Sequence, residues 1–398
     1  MDFSFSTEEQ AFRGEIREWL ASNVPGDWGS PAWPHPKTRK EYETVCRDWH
    51  RKMYDAGWVG VDWPKQYGGR EASPIDSFVF QEEMGNYITP PSMSTIGIGM
   101  AGPTIMTHGT EEQKTAHLEK ILSGEEIWCQ GFSEPNAGSD LAGLKTFAMA
   151  DGDDFVINGQ KIWTSVAHVA DWCILITRTD QNAEGRHRGM SYFIVDMHSP
   201  GIEVRPLRQI TGDAEFNEVF FKDVRVPKEN ILGGEDNGWM VAITTLMHER
   251  VNIAAYLYGR VKKALTDVVR LTQTIERNGE PLCNDPLIRQ KLVHFHIEVE
   301  TQRLNNLRMR ANMKVSDDPG PIGSIFKILF ADTNKNLLEM AVDILGPYAE
   351  LLPESDGYGD DIGTWMKSFL RARANSIEGG TTEILLNIVG ERILGLPR

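Results

Sequence analysis

The 398-residue sequence predicts an α+β fold in three parts: an N-terminal helical domain over 1–124, a middle antiparallel β-barrel or sandwich over 125–234, and a C-terminal four-helix bundle over 235–398. Three observations predict it. Apolar residues recur at helical spacing at both ends of the chain. Short β-branched and aromatic runs bounded by turns fill the middle. Pro- and Gly-rich punctuation separates the segments.

In the first part Phe12, Ile16, Trp19 and Leu20 share one helical stripe, Thr7 before Glu8 and Thr110 before Glu111 read as N-caps, and Trp63-Pro64-Lys65-Gln66-Tyr67-Gly68-Gly69 is a break. The small residues from Ser94 to Gly102 either leave room for a wide ligand or pack helices tightly. In the middle, Phe155-Val156-Ile157, Trp172 to Ile176, Tyr192 to Val195 and Glu218 to Phe221 are strand runs, and Asn158-Gly159 reads as a hairpin turn. After Gly238-Trp239, long helical periodicity is broken near Asn278 to Pro281, Asp317 to Gly320, Gly346-Pro347 and Gly379-Gly380, which fits four long helices.

With 41 Lys and Arg against 57 Asp and Glu the formal charge is -16, which argues against a nucleic-acid partner, since such binding needs clustered cations to neutralise phosphates. An anionic small molecule can still be held by a few local cations and helix N-termini. No apolar run approaches the roughly 20 residues that span a bilayer, so no membrane association is expected. The N-terminus lacks the basic-then-apolar order of a signal peptide, and the expected location is cytoplasmic. Cys46, Cys129, Cys173 and Cys283 are dispersed, forming no C-x-x-C pair, and read as reduced, mostly packed thiols with no metal site.

Ser133-Glu134-Pro135-Asn136-Ala137-Gly138-Ser139-Asp140 combines small residues, which let backbone approach a ligand, with hydroxyls that can bond it. Asn158-Gly159-Gln160-Lys161-Ile162-Trp163-Thr164-Ser165 adds an indole and two hydroxyls. Together with Asp223-Val224-Arg225-Val226-Pro227 and Gly379-Gly380-Thr381-Thr382-Glu383-Ile384, in this order, these stretches make the chain resemble the acyl-CoA dehydrogenase family over essentially its whole length. The resemblance implies FAD held between the middle and C-terminal domains and against a neighbouring subunit. It implies flavin contacts at Phe132, Ser133, Trp163 and Ser165, contacts to the adenosine and pyrophosphate region at Thr381 and Glu383, and a CoA contact at Ser139. The substrate is then an acyl-CoA, and the electron acceptor an electron-transfer flavoprotein or a similar carrier.

The chemistry of that family needs a carboxylate to take the α-proton while the flavin accepts the β-hydride. Many members place this Glu directly before a Gly-Thr pair near the C-terminus, where this chain has Gly379; Glu378 is one residue off. A second group carries the base on the first long helix of the bundle, directly before an Arg, and Met247-His248-Glu249-Arg250 matches it. Helical spacing places Glu249 with Leu246, Ile253 and Leu257 on an apolar stripe, where poor solvation would raise its pKa toward that of a useful base. His248 reads as a packed or solvated helix residue and Arg250 as an orienting or structural residue near the substrate. Gly379 retains a task for its backbone N–H, which can approach the thioester carbonyl.

Two departures from the family pattern stand out. Ile275 replaces the Arg that commonly precedes a Phe-Gly pair, here Asn278-Gly279, and Asp343 to Pro347 loses an amide side chain and one backbone donor. Heteromeric acyl-CoA dehydrogenases of sterol side-chain breakdown are relatives consistent with such a pattern. The expected assembly is thus a homo-oligomer, dimer or tetramer, or a hetero-oligomer with a paralogue that completes the FAD site. An acyl-CoA oxidase is the other alternative.

Overall fold

The computed structural model describes residues 5–25, 38–313, 322–351 and 361–397; within its helices the side chains of 39, 249–255, 310, 313 and 361–363 lie outside the description. The chain opens with α1 (Thr7–Asn23), whose cap is Ser6 and not Thr7. The Ser6 hydroxyl accepts the Glu9 amide at 3.1 Å and the Glu9 carboxylate accepts the Ser6 amide at 2.9 Å. That reciprocal spacing satisfies two end donors. Helices α2 (Arg39–Asp55), α3 (Pro74–Met84), α4 (Gly102–His108) and α5 (Glu111–Ser123) follow, with Thr110 capping α5 as its sequence predicts.

The chain forms two compact units. The sheet unit comprises Pro36–Glu71 and Pro90–Glu249, and the helical unit Met1–His35, Ala72–Thr89 and Arg250–Arg398.

In the sheet unit lie β1 (Trp128–Gly131), β2 (Phe147–Asp151), β3 (Asp154–Lys161), β4 (Trp172–Arg178), β5 (Met190–Asp196), β6 (Ile202–Leu207) and β7 (Phe216–Pro227). They form one sheet in the order β1-β4-β2-β3-β7-β6, with β5 on β4. Pairing is antiparallel for β2/β3, β3/β7, β4/β5 and β6/β7, and parallel where β1 meets β4. Alternate residues of β3 and β7, including Phe155, Ile157, Val219 and Phe221, join Cys173, Leu175, Phe193 and Val195 in its core.

The hairpin turn of this sheet is not at Asn158-Gly159. It falls between Asp151 and Asp154, with Gly152 at φ +65°. Asn158 and Gly159 lie inside β3, where the β7 register shifts between Ile157 and Gly159. A Cβ on Gly159 would stand 2.4 Å from Thr146 Oγ1, so this glycine serves close chain approach at a bulge. The stretch around Gly102 is tightly packed, since a Cβ there would meet Trp63 Cη2 at 2.2 Å.

Helix α6 (Gly238–Thr274) supplies residues to both units. The helical unit continues with a two-stranded hairpin, β8 (Glu276–Arg277) and β9 (Glu280–Pro281), turned by Asn278 and Gly279 at φ +57° and +80°. Then come α7 (Pro286–Met313), α8 (Gly323–Leu345), α9 (Asp361–Ala372) and α10 (Thr382–Arg392). The C-terminal part is helical as expected, with three long helices and two shorter ones after Gly346 (φ +56°) and Gly379-Gly380 (φ +62° and +93°). Its core gathers Tyr258, Val261, Leu265, Phe295, Phe330, Leu337 and Met340. Glu83 of α3, almost fully buried, is neutralised by Arg13 at 2.6 Å and Arg17 at 2.8 Å from α1.

Candidate active site

In the sheet unit, β1 ends at Gly131 and delivers Phe132, which is buried, and Ser133, which is half-buried. Strand β3 runs through Lys161 into Ile162, Trp163, Thr164 and Ser165. The Ile162 amide donates to the Ser133 carbonyl at 2.9 Å, so the sequence-predicted pairs Phe132/Ser133 and Trp163/Ser165 lie on neighbouring chain segments. Trp163 sits at φ +60° with its indole 57% exposed, edge-on to Phe216. A bulky residue in left-handed backbone, its ring open to solvent, is a costly arrangement.

That turn is fastened from below. Thr164 and Asn217 exchange backbone bonds at 3.0 and 3.1 Å, the Asn217 amide group donates to the Thr164 carbonyl at 2.9 Å, and the Val166 amide donates to Glu215 at 3.0 Å. The Thr164 hydroxyl is buried with no hydrogen-bond partner.

Sequence reasoning passed over two residues beneath this ledge. Lys161 is fully buried, and its ammonium donates to Glu134 Oε1 at 2.9 Å and to the Phe132 carbonyl at 3.0 Å. Glu134 also accepts the amides of Lys145 at 2.7 Å and Thr146 at 2.9 Å. Burial raises the Glu134 carboxyl pKa, but Lys161 and the two amides outweigh it and hold the group below its ordinary range. For Lys161 burial dominates, lowering the ammonium pKa against the opposing pull of Glu134. The signal in the sequence was a Lys at an inward position of β3, two residues after Gly159 and four after buried Ile157. Ser139 is exposed, on the loop whose Asp140 pairs with Arg186.

In the helical unit, Gly379, Thr381 and Glu383 lie together at the start of α10. The Thr381 hydroxyl caps the helix by accepting the Ile384 amide at 3.3 Å, Glu383 is exposed in the first turn, and Lys327 donates to the Gly380 carbonyl at 2.7 Å. Glu378 is committed: it accepts two bonds from Arg371, at 3.1 and 2.9 Å, and one from Asn375 at 2.9 Å.

Glu249 and Arg250 lie on α6, and their side chains are outside the described residues. One turn before them the sheet unit carries a polar cluster that the sequence did not announce. His108 Nε2 and Thr244 Oγ1 share a hydrogen bond at 2.9 Å, and the Thr244 hydroxyl is also 3.2 Å from the Met240 carbonyl. Burial lowers the His248 pKa, opposed by Asp62 and aided by His108, while burial raises the Asp62 carboxyl.

Family descriptions cover nearly the entire chain: the acyl-CoA dehydrogenase N-terminal domain matches 6–125, the middle domain 129–224 and the C-terminal domain 236–394. The chain belongs to the acyl-CoA dehydrogenase family. It is 37% identical to acyl-CoA dehydrogenase IpdE1 of Mycobacterium tuberculosis over 98% of both chains. Among solved structures, the Tcur3481-Tcur3483 steroid ACAD is similar with a TM-score of 0.86 at 31% identity, covering 100% of both chains. The ChsE4-ChsE5 complex from Mycobacterium tuberculosis reaches 0.84 at 30% identity, again over 100% of both.

As an acyl-CoA dehydrogenase the protein is an oxidoreductase of a flavoprotein family. The ledge fits such a cofactor: an exposed indole for ring contact, an orphaned buried hydroxyl at Thr164, and hydroxyls at Ser133 and Ser165. Among the described residues no helix is long and apolar enough to cross a membrane.

Proposed function

We propose that this chain catalyses FAD-dependent α,β-dehydrogenation of an acyl-CoA thioester, with Glu249 as the base that removes the α-proton. One observation carries the assignment of the base. Glycine occupies position 379, and the adjacent Glu378 spends its carboxylate on Arg371 and Asn375, so the C-terminal turn offers the α-carbon no uncommitted acid next to Gly379. Glu249 on α6 is then the acid in register with the family's second placement.

FAD, when bound, supplies the acceptor for the hydride that leaves the β-carbon. Phe132, Ser133, Trp163 and Ser165 bind and orient its flavin end, and Thr381 with Glu383 at the start of α10 meet its adenosine and pyrophosphate region. Ser139 contacts the CoA portion, and Arg250 orients the substrate. The Gly379 N–H donates to the thioester carbonyl and stabilises the negative charge that grows there as the proton leaves. Electrons pass on to an electron-transfer flavoprotein or similar acceptor; comparing oxygen consumption with dye reduction separates this from an acyl-CoA oxidase.

A more specific reading is a subunit of a heteromeric enzyme acting on a steroid-derived acyl-CoA. It is supported by the full-length likeness to a steroid ACAD and to a two-component complex, and by Ile275 and Asp343–Pro347, which depart from the usual FAD-binding pattern. The experiment is to purify the chain alone and with a paralogous subunit. Bound FAD is then measured, and a panel of straight-chain and ring-bearing acyl-CoA esters is assayed with an artificial acceptor. The heteromeric reading expects yellow protein that turns over a ring-bearing ester only when the paralogous subunit is present, and a chain that is yellow and fully active alone overturns it; FMN, or no flavin in either assembly, overturns the dehydrogenase reading as well.

A further inference from the structure

The feature that the proposed chemistry leaves unused is the buried ion pair under the ledge. We propose that Lys161 and Glu134 are positioning residues, a rigid strut that sets the two flavin-facing segments against each other and so preorganises the FAD site. The inference rests on the flavin reading of Phe132, Ser133, Trp163 and Ser165.

Lys161 lies on the inward face of β3, an alternation it shares with Phe155 and Ile157, and it is as buried as they are. An inward lysine in a β core is costly unless its ammonium meets partners at the far end. Its stem passes Gly131 of β1, where a Cβ would stand 3.5 Å from Lys161 Cγ and only 2.6 Å from Leu175 Cδ1. Beyond that gap Nζ reaches the Phe132 carbonyl and Glu134 Oε1, just after β1.

Glu134 distributes the restraint. Its backbone closes the Glu134–Ala137 loop through two bonds of 3.0 Å, and its carboxylate holds the 145–146 amides that lead into β2. The pair therefore ties together β1's exit, the loop leading to Ser139, the start of β2 and the end of β3. Trp163, two residues beyond Lys161, must hold a positive φ. A folded core does not require the ammonium to grip the Phe132 carbonyl in particular; a fixed distance between Ser133 and Trp163 does.

A purely structural pair and a positioning pair respond differently to joint removal. Losing one partner strands a buried charge, whereas replacing both with neutral groups commonly restores stability. The test uses the full chain in whichever assembly carries flavin, comparing Lys161→Met with Lys161→Met/Glu134→Gln. Three quantities are read: melting temperature, FAD dissociation constant, and hydrogen exchange of the Ile162 amide in the flavin-free protein.

The proposal expects Lys161→Met to lower the melting temperature and the double variant to recover most of it. In both variants the FAD dissociation constant rises at least about tenfold and the Ile162 amide exchanges faster, because neither can hold the Phe132 carbonyl. A double variant that regains wild-type FAD affinity and Ile162 protection along with its stability would show that the pair serves folding alone. Failure of the flavin reading is distinguishable: wild-type protein would then bind no FAD, while Ile162 exchange would still report on the strut.

Discussion

The ledge of the sheet unit and the C-terminal turn of the helical unit carry comparable sequence motifs but are held by opposite means. At the ledge, Lys161, Glu134, Thr164 and Asn217 are all buried, and the chain is fixed by bonds among them. At the turn, Gly379 and Gly380 take positive φ without strain, and the fastening group is the Arg371–Glu378 pair, whose side chains are 39% and 37% exposed. Buried bonds are hard to replace by water, while exposed pairs exchange readily with it. The ledge is thus held in a fixed geometry by buried bonds, and the turn by glycine conformation and a solvent-accessible ion pair.

Neither region supplies the proposed base, and this gives the largest expected effect. Glu249→Gln keeps the size of the side chain but cannot accept a proton. Flavin reduction by an acyl-CoA should fall by about 10² to 10⁴ in rapid mixing, with FAD content and ligand affinity retained. Near-normal reduction would return the base to the C-terminal turn and erase the division of labour drawn above.

The ledge itself can be loosened at Asn217, fully buried and bonded to the Thr164 carbonyl, to the Glu215 carbonyl at 3.3 Å and to His168. Asn217→Ala removes the side-chain donor from both carbonyls, leaving Thr164 only the backbone amide of residue 217, at a cost of about 1–3 kcal/mol. Denaturant unfolding should register the loss, and FAD should dissociate faster. Unchanged FAD release would mean that the Trp163 turn is stiff without this bond.

Acid separates the two regions more gently. Burial lowers the pKa of His50, His108 and His248, all in the sheet unit, from an ordinary 6.5. For a lowered histidine the folded state binds its proton later than the unfolded state does. The corresponding stability is complete above pH 6.5 and is lost as pH falls through the depressed folded values. Asp62, raised by burial, opposes this at lower pH as it protonates. Hydrogen exchange followed from about pH 7.5 to pH 5 should show the sheet unit opening more readily in acid. A sheet unit equally protected across that range would contradict the sign.

Much of this was readable in the chain, for physical reasons that differ by region. Helices and strands follow from periodicity, which is local, and the cap at Thr110 follows from the residues beside it. At the first helix Ser6 and Thr7 each have a reciprocal partner three residues on, Glu9 and Gln10, and the fold uses the first. Asn158-Gly159 misled because an Asn-Gly pair suits a turn and a bulge equally, and only Thr146, distant in sequence, decides between them. Lys161 and Glu134 were invisible as a pair because their 27-residue separation is closed only by the sheet register. The Asp62, His108 and His248 cluster likewise draws on three separate segments of the chain.

The smallest expected effect tests the turn alone. Glu378 accepts from Arg371 and Asn375, but both members of the ion pair are more than a third exposed, so solvent screening leaves the pair worth below about 1 kcal/mol. Glu378→Gln keeps the shape and one oxygen acceptor but removes the charge and turns the second acceptor into an NH2 donor, so at least one of the bonds from Arg371 and Asn375 is lost. Flavin reduction should stay within about threefold of wild type, since the carboxylate has no proton to take in the proposed scheme and the Gly379 N–H is untouched. The residual contribution of the pair should fade in high salt, so the stability difference between Glu378→Gln and wild type should shrink as ionic strength rises. A collapse of flavin reduction in this variant, with unfolding midpoint and FAD content preserved, would assign the α-proton to Glu378. The turn would then be the catalytic region, and its exposed ion pair a resting state released when substrate arrives.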